Sequence, residues 1–478
     1  MREKSLIKNS MYNVIYTVTN ILFPFLTSIY VSRILLPSGV GIVAYAQNIA
    51  SYFVTFAALG LPAYGVREFS KVRKNISEKN KLFSELFIIN MFSTTCAIVG
   101  FICIVVINAG FGSEWSLYGA CGLSIVFNYL NIDWLYQGEE EYGYIAGRSL
   151  IIKIMSIGAL IGFVKNQQDY VIYALVNSLA IGGNYLFNVW HARTLVRFEM
   201  RNLDLKKHIK PVVLIALIIL LSSIYSKIDT TMLGMLATNE AVGYYTYAQK
   251  TVAIVLSMCS AVTATLLPRL SFYFDSNRQA FDELLNRGFQ VLCLFAVPMC
   301  VGLFIVAPQV VEVLYGENFE PAIVTIRWLC PILLIKSFGD LFCYQLVYSI
   351  KGEKILVPAA VVASIFNIIA NTFLIPILMH NGAVIASLLS ELATNMIQFV
   401  YVKHKIKFQL TKKPFLTALW STLLMSVFVI VIVNSELSSI ASLFIGIIGG
   451  GVVYLLLNVI SKNNILLETI QKIKNGIR

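Results

Sequence analysis

Apolar residues run almost unbroken through a series of windows along this 478-residue chain, with short polar stretches between them. Read with a window of about 19 residues, the runs fall at 11–32, 39–61, 85–108, 116–138, 143–164, 169–190, 211–236, 241–264, 287–308, 322–348, 355–378, 382–403, 414–434 and 438–460. Each approaches the roughly 20 residues that carry a helix across a bilayer core. Strands do not fit, because lipid offers the backbone no partners and a lone spanning segment must satisfy its own N–H and C=O groups. The pattern predicts an all-α integral membrane protein with 14 transmembrane helices.

The polar stretches alternate in character. Even-numbered loops and both tails carry basic runs such as REFSKVRKNISEKNK, HARTLVRFEMRNLDLKKHIK and KHKIKFQLTKK, whereas the odd-numbered loops, such as ATNEA, MHNG and NSEL, are short. Of 37 Lys and Arg residues, Lys165 is in an odd loop, six or so lie inside or at the margins of spans, and the rest are on the even side. That bias predicts both termini in the cytoplasm. It also explains the net charge of +12: the excess is topogenic and faces anionic membrane lipids, so no nucleic-acid partner is expected. The N-terminus MREKSLIKNS has no cleavage-site pattern, and the first span is read as the insertion signal.

Composition agrees. The chain is 58% hydrophobic and 13% charged, against about 25% charged in soluble domains. Eight cysteines are scattered singly with no CxxC, and four histidines lack ligand spacing. No metal site and no cofactor are expected.

One pattern recurs. Residues 40–47 read VGIVAYAQ and residues 242–249 read VGYYTYAQ, each opening the second span of a six-span unit. Leu61-Pro62 and Leu267-Pro268 close the two spans, and a basic loop follows each. Six spans per unit give both units the same orientation, so the repeats are parallel, around a central cavity. The expected domains are 1–210 (spans 1–6 and a basic linker), 211–403 (spans 7–12) and 404–478 (spans 13–14 and tail).

Several stretches together resemble the polysaccharide transporter branch of the multidrug/oligosaccharidyl-lipid/polysaccharide exporter superfamily, the Wzx-like flippases of O-antigen and capsule repeat units. They are SRILLPSGVGIVAYAQNI, KIDTTMLG with NEAVGYYTYAQK, LYGENFEPA, and NTFLIPILMHNGAVIASLLSE. The resemblance implies a V-shaped pair of six-helix bundles. It also implies a polyprenyl-pyrophosphate oligosaccharide as substrate, with other polysaccharide assembly proteins as partners.

Charges inside spans cost about 2.5–3.5 kcal/mol at the bilayer centre on insertion scales, so they usually face a cavity or a partner. The bases Arg33, Arg148, Lys153, Lys227, Lys250, Arg327 and Lys336 are candidates for lining a substrate cavity, since Arg and Lys suit a pyrophosphate. Arg33, Arg148 and Arg327 are close enough to span ends to snorkel instead. The acids Asp133, Asp229, Asp340 and Glu391 are candidates for coupling transport to an ion gradient. Lys227 and Asp229 point about 200° apart on one helix, so they need different neighbours; Lys250 is the expected partner of Asp229. Tyr244, Tyr245 and Tyr247 could stack on sugar rings, and Pro24, Pro298, Pro331 and Pro358 could kink their spans.

Three functions compete. A lipid-linked oligosaccharide flippase accounts for the basic interior. A polymerase- or ligase-type membrane enzyme would need an external catalytic loop, and the longest here is about a dozen residues without an acid pair. A drug exporter of the MATE type shares the architecture but favours cationic substrates. No Walker A motif occurs, so ATP is not the expected fuel.

Overall fold

The computed structural model describes residues 6–107, 114–200, 202–463, 465–468 and 471, which are predominantly helical with no strand among them. Most of the loop between the third and fourth expected spans and of the C-terminal tail lies outside the described residues. Contacts divide the chain into two compact units, Met1–Gly234 and Met235–Arg478.

The first unit contains helices Leu6–Ala58, Leu61–Val72, Ile76–Ile107, Trp115–Phe127, Asp133–Gly138, Tyr142–Phe163, Tyr170–Ala192 and most of Lys206–Leu236. The second holds Asn239–Ala264, Leu267–Ser276, Arg278–Tyr315, Ala322–Leu329, Pro331–Gly339, Leu346–Ser349, Leu356–Leu378, His380–Lys405, Lys413–Val433 and Ser439–Ile460. The seventh expected span therefore groups with the first unit rather than opening the second. It is bound there by hydrogen bonds. The Asn48 amide donates to the Lys227 carbonyl at 3.2 Å and to Thr231 at 2.7 Å, and the Tyr52 hydroxyl meets Thr231 at 2.9 Å. Two glycines allow the close approach. A Cβ on Gly60, which has φ +70, would meet the Ala216 backbone at 2.9 Å, and one on Gly234 would meet the Tyr45 ring at 2.1 Å.

Among the described residues, eleven helices are long and apolar enough to cross a membrane, and the difference from fourteen has three local causes. The first and second spans are two helices that meet without a loop at non-helical Leu36 (φ 56), just before Pro37, and so count as one stretch. The fourth is broken between Phe127 and Asp133. The eighth, Asn239–Ala264, carries too many polar residues to qualify. Rows of large apolar side chains remain exposed on the long helices, for example Val361, Ile365, Phe373 and Ile377 on one and Leu416, Trp420, Val427 and Val431 on another. Patches of that extent are not left to water; they face lipid, and the chain is a multi-pass membrane protein.

Each unit has a compact apolar core at the end where its basic loops lie. Phe69, Leu86, Trp134, Leu135 and Tyr136 centre the first, and Leu270, Phe281, Leu285, Leu292 and Leu341 the second. In the second unit the last two long helices pack on each other and on Arg278–Tyr315. Of the four prolines singled out above, Pro24 and Pro298 lie within helices. Pro331 restarts a helix, and Pro358 sits in a first turn, where a missing N–H breaks no helix bond.

Candidate functional site

In the first unit the break in the fourth span creates the site. The run Asn128-Tyr-Leu-Asn-Ile-Asp133 is poor in helix formers, and asparagine side chains take over the bonds the helix gives up. The Asn90 amide donates to the Asn128 carbonyl at 2.8 Å, and the Asn128 amide donates to Asn90 at 3.0 Å and to Thr94 at 2.8 Å. Asn131 donates to the Asn128 side chain at 3.0 Å. Irregular backbone at membrane depth survives only where it is sheltered like this.

Asp133 opens the short helix after the break. Its Oδ1 accepts Arg148 Nη2 at 3.1 Å and Asn188 Nδ2 at 2.7 Å. Arg148 is 7% exposed and lies 5.4 Å over the Tyr144 ring, which stacks on His191 at 4.2 Å. Its Nε and Nη1 are buried without a hydrogen-bond acceptor among the described residues. Buried guanidinium donors left in that state are costly unless something accepts from them. Lys153, also buried, follows on the same helix. It donates to the Asn20 side-chain oxygen and lies 5.9 Å from the Tyr16 ring and 5.8 Å from Phe23. Tyr16, Asn20 and Phe23 sit at spacings of four and three, so they share one helix face. Asp133 thus compensates Arg148, while Lys153 is held by an amide and two rings rather than by a carboxylate.

The remaining candidates of this unit are apart from that cluster. Arg33 is exposed on the first helix. Lys227 is half-buried with its ammonium 5.8 Å from the Tyr52 ring, and Asp229 is buried. Asp229 and Lys250 belong to different units, and their pairing is taken up below.

The second unit is built differently. Lys336 pairs with Glu391 at 3.5 Å, the lysine 41% and the glutamate 16% exposed. Asp340 begins a π-helical turn, Asp340–Gln345; it accepts from the Thr263 hydroxyl and from the Gln345 amide at 3.3 Å. Such turns mark places where a helix is opened for function or packing. Arg327 is tied to its neighbour, Nε donating to the Phe304 carbonyl at 3.2 Å. Lys250 lies 4.8 Å over the Tyr247 ring. Tyr245 and Tyr247 are not available to sugars: both are fully buried, Tyr245 bonded to Gln249 and Ser387 and Tyr247 stacked on Phe319.

Sequence reasoning paired only Asp229 with Lys250; side-chain geometry joins Asp133 to Arg148 and Lys336 to Glu391. It also missed a buried polar assembly at the basic end of the first unit. Glu85, with no exposed surface, accepts Asp204 N at 2.7 Å and His208 Nε2 at 2.8 Å, and Lys207 approaches to 3.2 Å. His208 Nδ1 meets the Tyr64 hydroxyl at 2.6 Å. Nearby, buried Lys79 pairs with Glu139 at 3.2 Å, and Arg73 with Glu140 at 2.9 Å. The acidic run 139–141 beside a basic loop was the available signal.

Comparison with known proteins sets these observations in a family. Over 403 residues the chain is 18% identical to "Putative O-antigen transporter" of Escherichia coli strain K12, covering 84% of this chain and 97% of that one. It is 23% identical over 427 residues to "Probable low-salt glycan biosynthesis flippase Agl15" of Haloferax volcanii, covering 86% and 88%. Its fold is similar to the structure titled "Lipid II flippase MurJ, inward closed conformation", with a TM-score of 0.77 at 15% identity over 95% of this chain and 99% of that one. An inward-facing MATE transporter follows at a TM-score of 0.58 and 14% identity, covering 80% and 94%. Residues 6–274 match the family described as "Polysaccharide biosynthesis protein", more than half of the chain, and the protein belongs to that family.

Proposed function

We propose that this protein is a flippase that moves a polyprenyl-pyrophosphate-linked oligosaccharide across the cytoplasmic membrane by alternating access, for O-antigen, capsule or related polysaccharide synthesis. The observation that carries the reading is the cationic interior of the first unit. Arg148 retains two buried unpaired donor atoms, and Lys153 sits among Asn20, Tyr16 and Phe23 with no carboxylate on it. A pyrophosphate supplies the acceptor oxygens and charge that such donors lack. The names of the relatives, an O-antigen transporter and a glycan flippase, point to the same substrate class.

The finer parts of the reading are proposals of the same standing. Fourteen helices span the membrane, as two six-helix lobes about a central cavity plus two C-terminal helices, with both termini cytoplasmic. Asp229 faces Lys250, and Lys227 faces the cavity. Asp133, Asp229, Asp340 and Glu391 serve to couple transport to an ion gradient. The protein is a transporter rather than an enzyme, and it works beside other polysaccharide assembly proteins. A MATE-like cation-coupled exporter is supported by fold alone, and the surplus of interior bases opposes cationic substrates.

Reconstitution tests the proposal. Liposomes carrying the protein and a fluorescent polyprenyl-pyrophosphate oligosaccharide are expected to show inner-to-outer transfer, lost in Arg148→Ala. Transfer no faster than in protein-free liposomes would reject it. In cells, deletion of the gene is expected to leave the lipid-linked repeat unit on the cytoplasmic leaflet.

A further inference from the structure

The second unit has a cavity of about 660 Å³ that belongs to neither charge cluster. It lies at the basic end of the unit, among the helices Arg278–Tyr315, His380–Lys405 and Lys413–Val433. Phe289, Phe399, Phe408 and Phe415 form its apolar wall, and Lys403, Lys407 and Lys412 contribute its charge.

The cavity is built rather than left over between loops. Residues 406–411 are not helical, Ile406 has extended angles, and burial alternates along them. Ile406, Phe408 and Leu410 turn toward the core, and Lys407, Gln409 and Thr411 are exposed. Hydrogen bonds hold this strap to the helix beneath it. Asn286 Nδ2 donates to the Gln409 carbonyl at 2.9 Å, Thr411 N donates to Asn286 Oδ1 at 3.0 Å, and Arg278 Nη2 donates to the Lys407 carbonyl at 3.0 Å. The Phe408 ring is stacked parallel to Phe342 at 5.9 Å and meets Phe399 edge-on at 6.3 Å.

The occupant follows from the two halves of the lining. Lys403 lies 5.8 Å from the Phe399 ring, and none of the three lysines has an ion-pair partner among the described residues. Asp282 and Glu283 line a separate polar depression with Arg278 and Asn286. A free phosphate would satisfy the ammonium groups and leave the aromatic wall wet. A neutral lipid would do the reverse. Phe415 and Leu416 are 37% and 60% exposed, which opens the wall toward the bilayer. We infer that this cavity binds one anionic phospholipid, its phosphate held by Lys403, Lys407 and Lys412 and an acyl chain laid against Phe399, Phe408 and Phe415. The lipid then ties the strap, and with it the last helix pair, to the rest of the unit. Basic residues at a membrane surface favour anionic lipid in this way.

The test uses full-length protein in phosphatidylcholine nanodiscs with or without phosphatidylglycerol, and counts retained lipid by native mass spectrometry. The unmodified protein is expected to keep one phosphatidylglycerol in preference to phosphatidylcholine. Lys403→Gln/Lys407→Gln/Lys412→Gln is expected to lose that preference about tenfold, while Lys71→Gln/Lys206→Gln/Lys354→Gln keeps it. Equal losses in both triples would reduce the effect to bulk charge and overturn the inference. Displacement of the phospholipid by polyprenyl phosphate at an equimolar dose would assign the cavity to the carrier and overturn it too. The unmodified protein provides a second readout: a diazirine-bearing phosphatidylglycerol is expected to label residues 399–416, and labelling spread over all helices would count against the site.

Discussion

Residues 40–48 and 242–250 belong to different units, yet they alternate between buried and half-buried in the same order at all nine positions. Val40 and Val242, Gly41 and Gly243, Tyr45 and Tyr247, and Ala46 and Ala248 are the buried pairs of the repeat. The chemistry placed on that shared scaffold differs. Tyr45 closes against Gly234, whereas Tyr247 stacks on Phe319 with ring planes 13° apart. The position that holds Asn48, a neutral clamp on the Lys227 carbonyl, holds Lys250 in the second copy. A backbone can be repeated while its charges diverge, because burial pattern fixes packing and leaves half-buried positions free to change.

The helix ends tell the same story. Leu61-Pro62 and Leu267-Pro268 each begin a short helix, yet the first is preceded by positive φ at Leu59 and Gly60 and the second by ordinary helical angles at Leu266. Glu140 (φ 56) and Lys351 (φ 57) make matching left-handed turns after the fourth and tenth spans. In both, the next N–H reaches back five residues, Glu141 to the Tyr136 carbonyl and Gly352 to Val347, each at 2.8 Å. Between these shared turns the spans open differently: the fourth by an asparagine-lined break, the tenth by Pro331 and a π turn.

The contrast between the ion pair with a buried base in the first unit and the one with a half-exposed base in the second can be broken by substitution. Asp133→Ala strands Arg148 in the interior and is expected to cost about 3–5 kcal/mol in equilibrium unfolding from micelles, with Asp133→Ala/Arg148→Met recovering part of it. A smaller effect follows from Gly234→Ala, whose Cβ would overlap Tyr45; about 1–3 kcal/mol is expected on the same scale. Lys336→Met should come last. Its pair is half-exposed, and removing it is expected to shift stability by about 0–1 kcal/mol. A cost for Lys336→Met equal to that of Asp133→Ala would erase the distinction between the units.

The helices themselves were legible in the sequence, because each apolar run is long and the basic loops mark one side. The gap left between the first two spans, from 32 to 39, holds the non-helical Leu36 that parts the two helices. The charged residues were legible one by one and not as pairs. Asp133 and Arg148 are 15 positions apart, and Lys336 and Glu391 are 55 apart. Only packing decides which turns of which helices meet. The Glu85–His208–Tyr64 assembly was hidden for the same reason, as its members lie in what read as a span margin and two loops.

The most direct measurement concerns Lys153, the base that the first unit holds without a carboxylate. In liposomes loaded with a fluorescent polyprenyl-pyrophosphate oligosaccharide, Lys153→Met is expected to slow transfer by tenfold or more, about 1.4 kcal/mol at the barrier. Its unfolding midpoint should be unchanged or raised, since a buried charge is removed, and Lys336→Met should transfer within about twofold of the unmodified protein. Full transfer by Lys153→Met together with loss in Lys336→Met would contradict the assignment of the substrate's anionic group to the interior of the first unit.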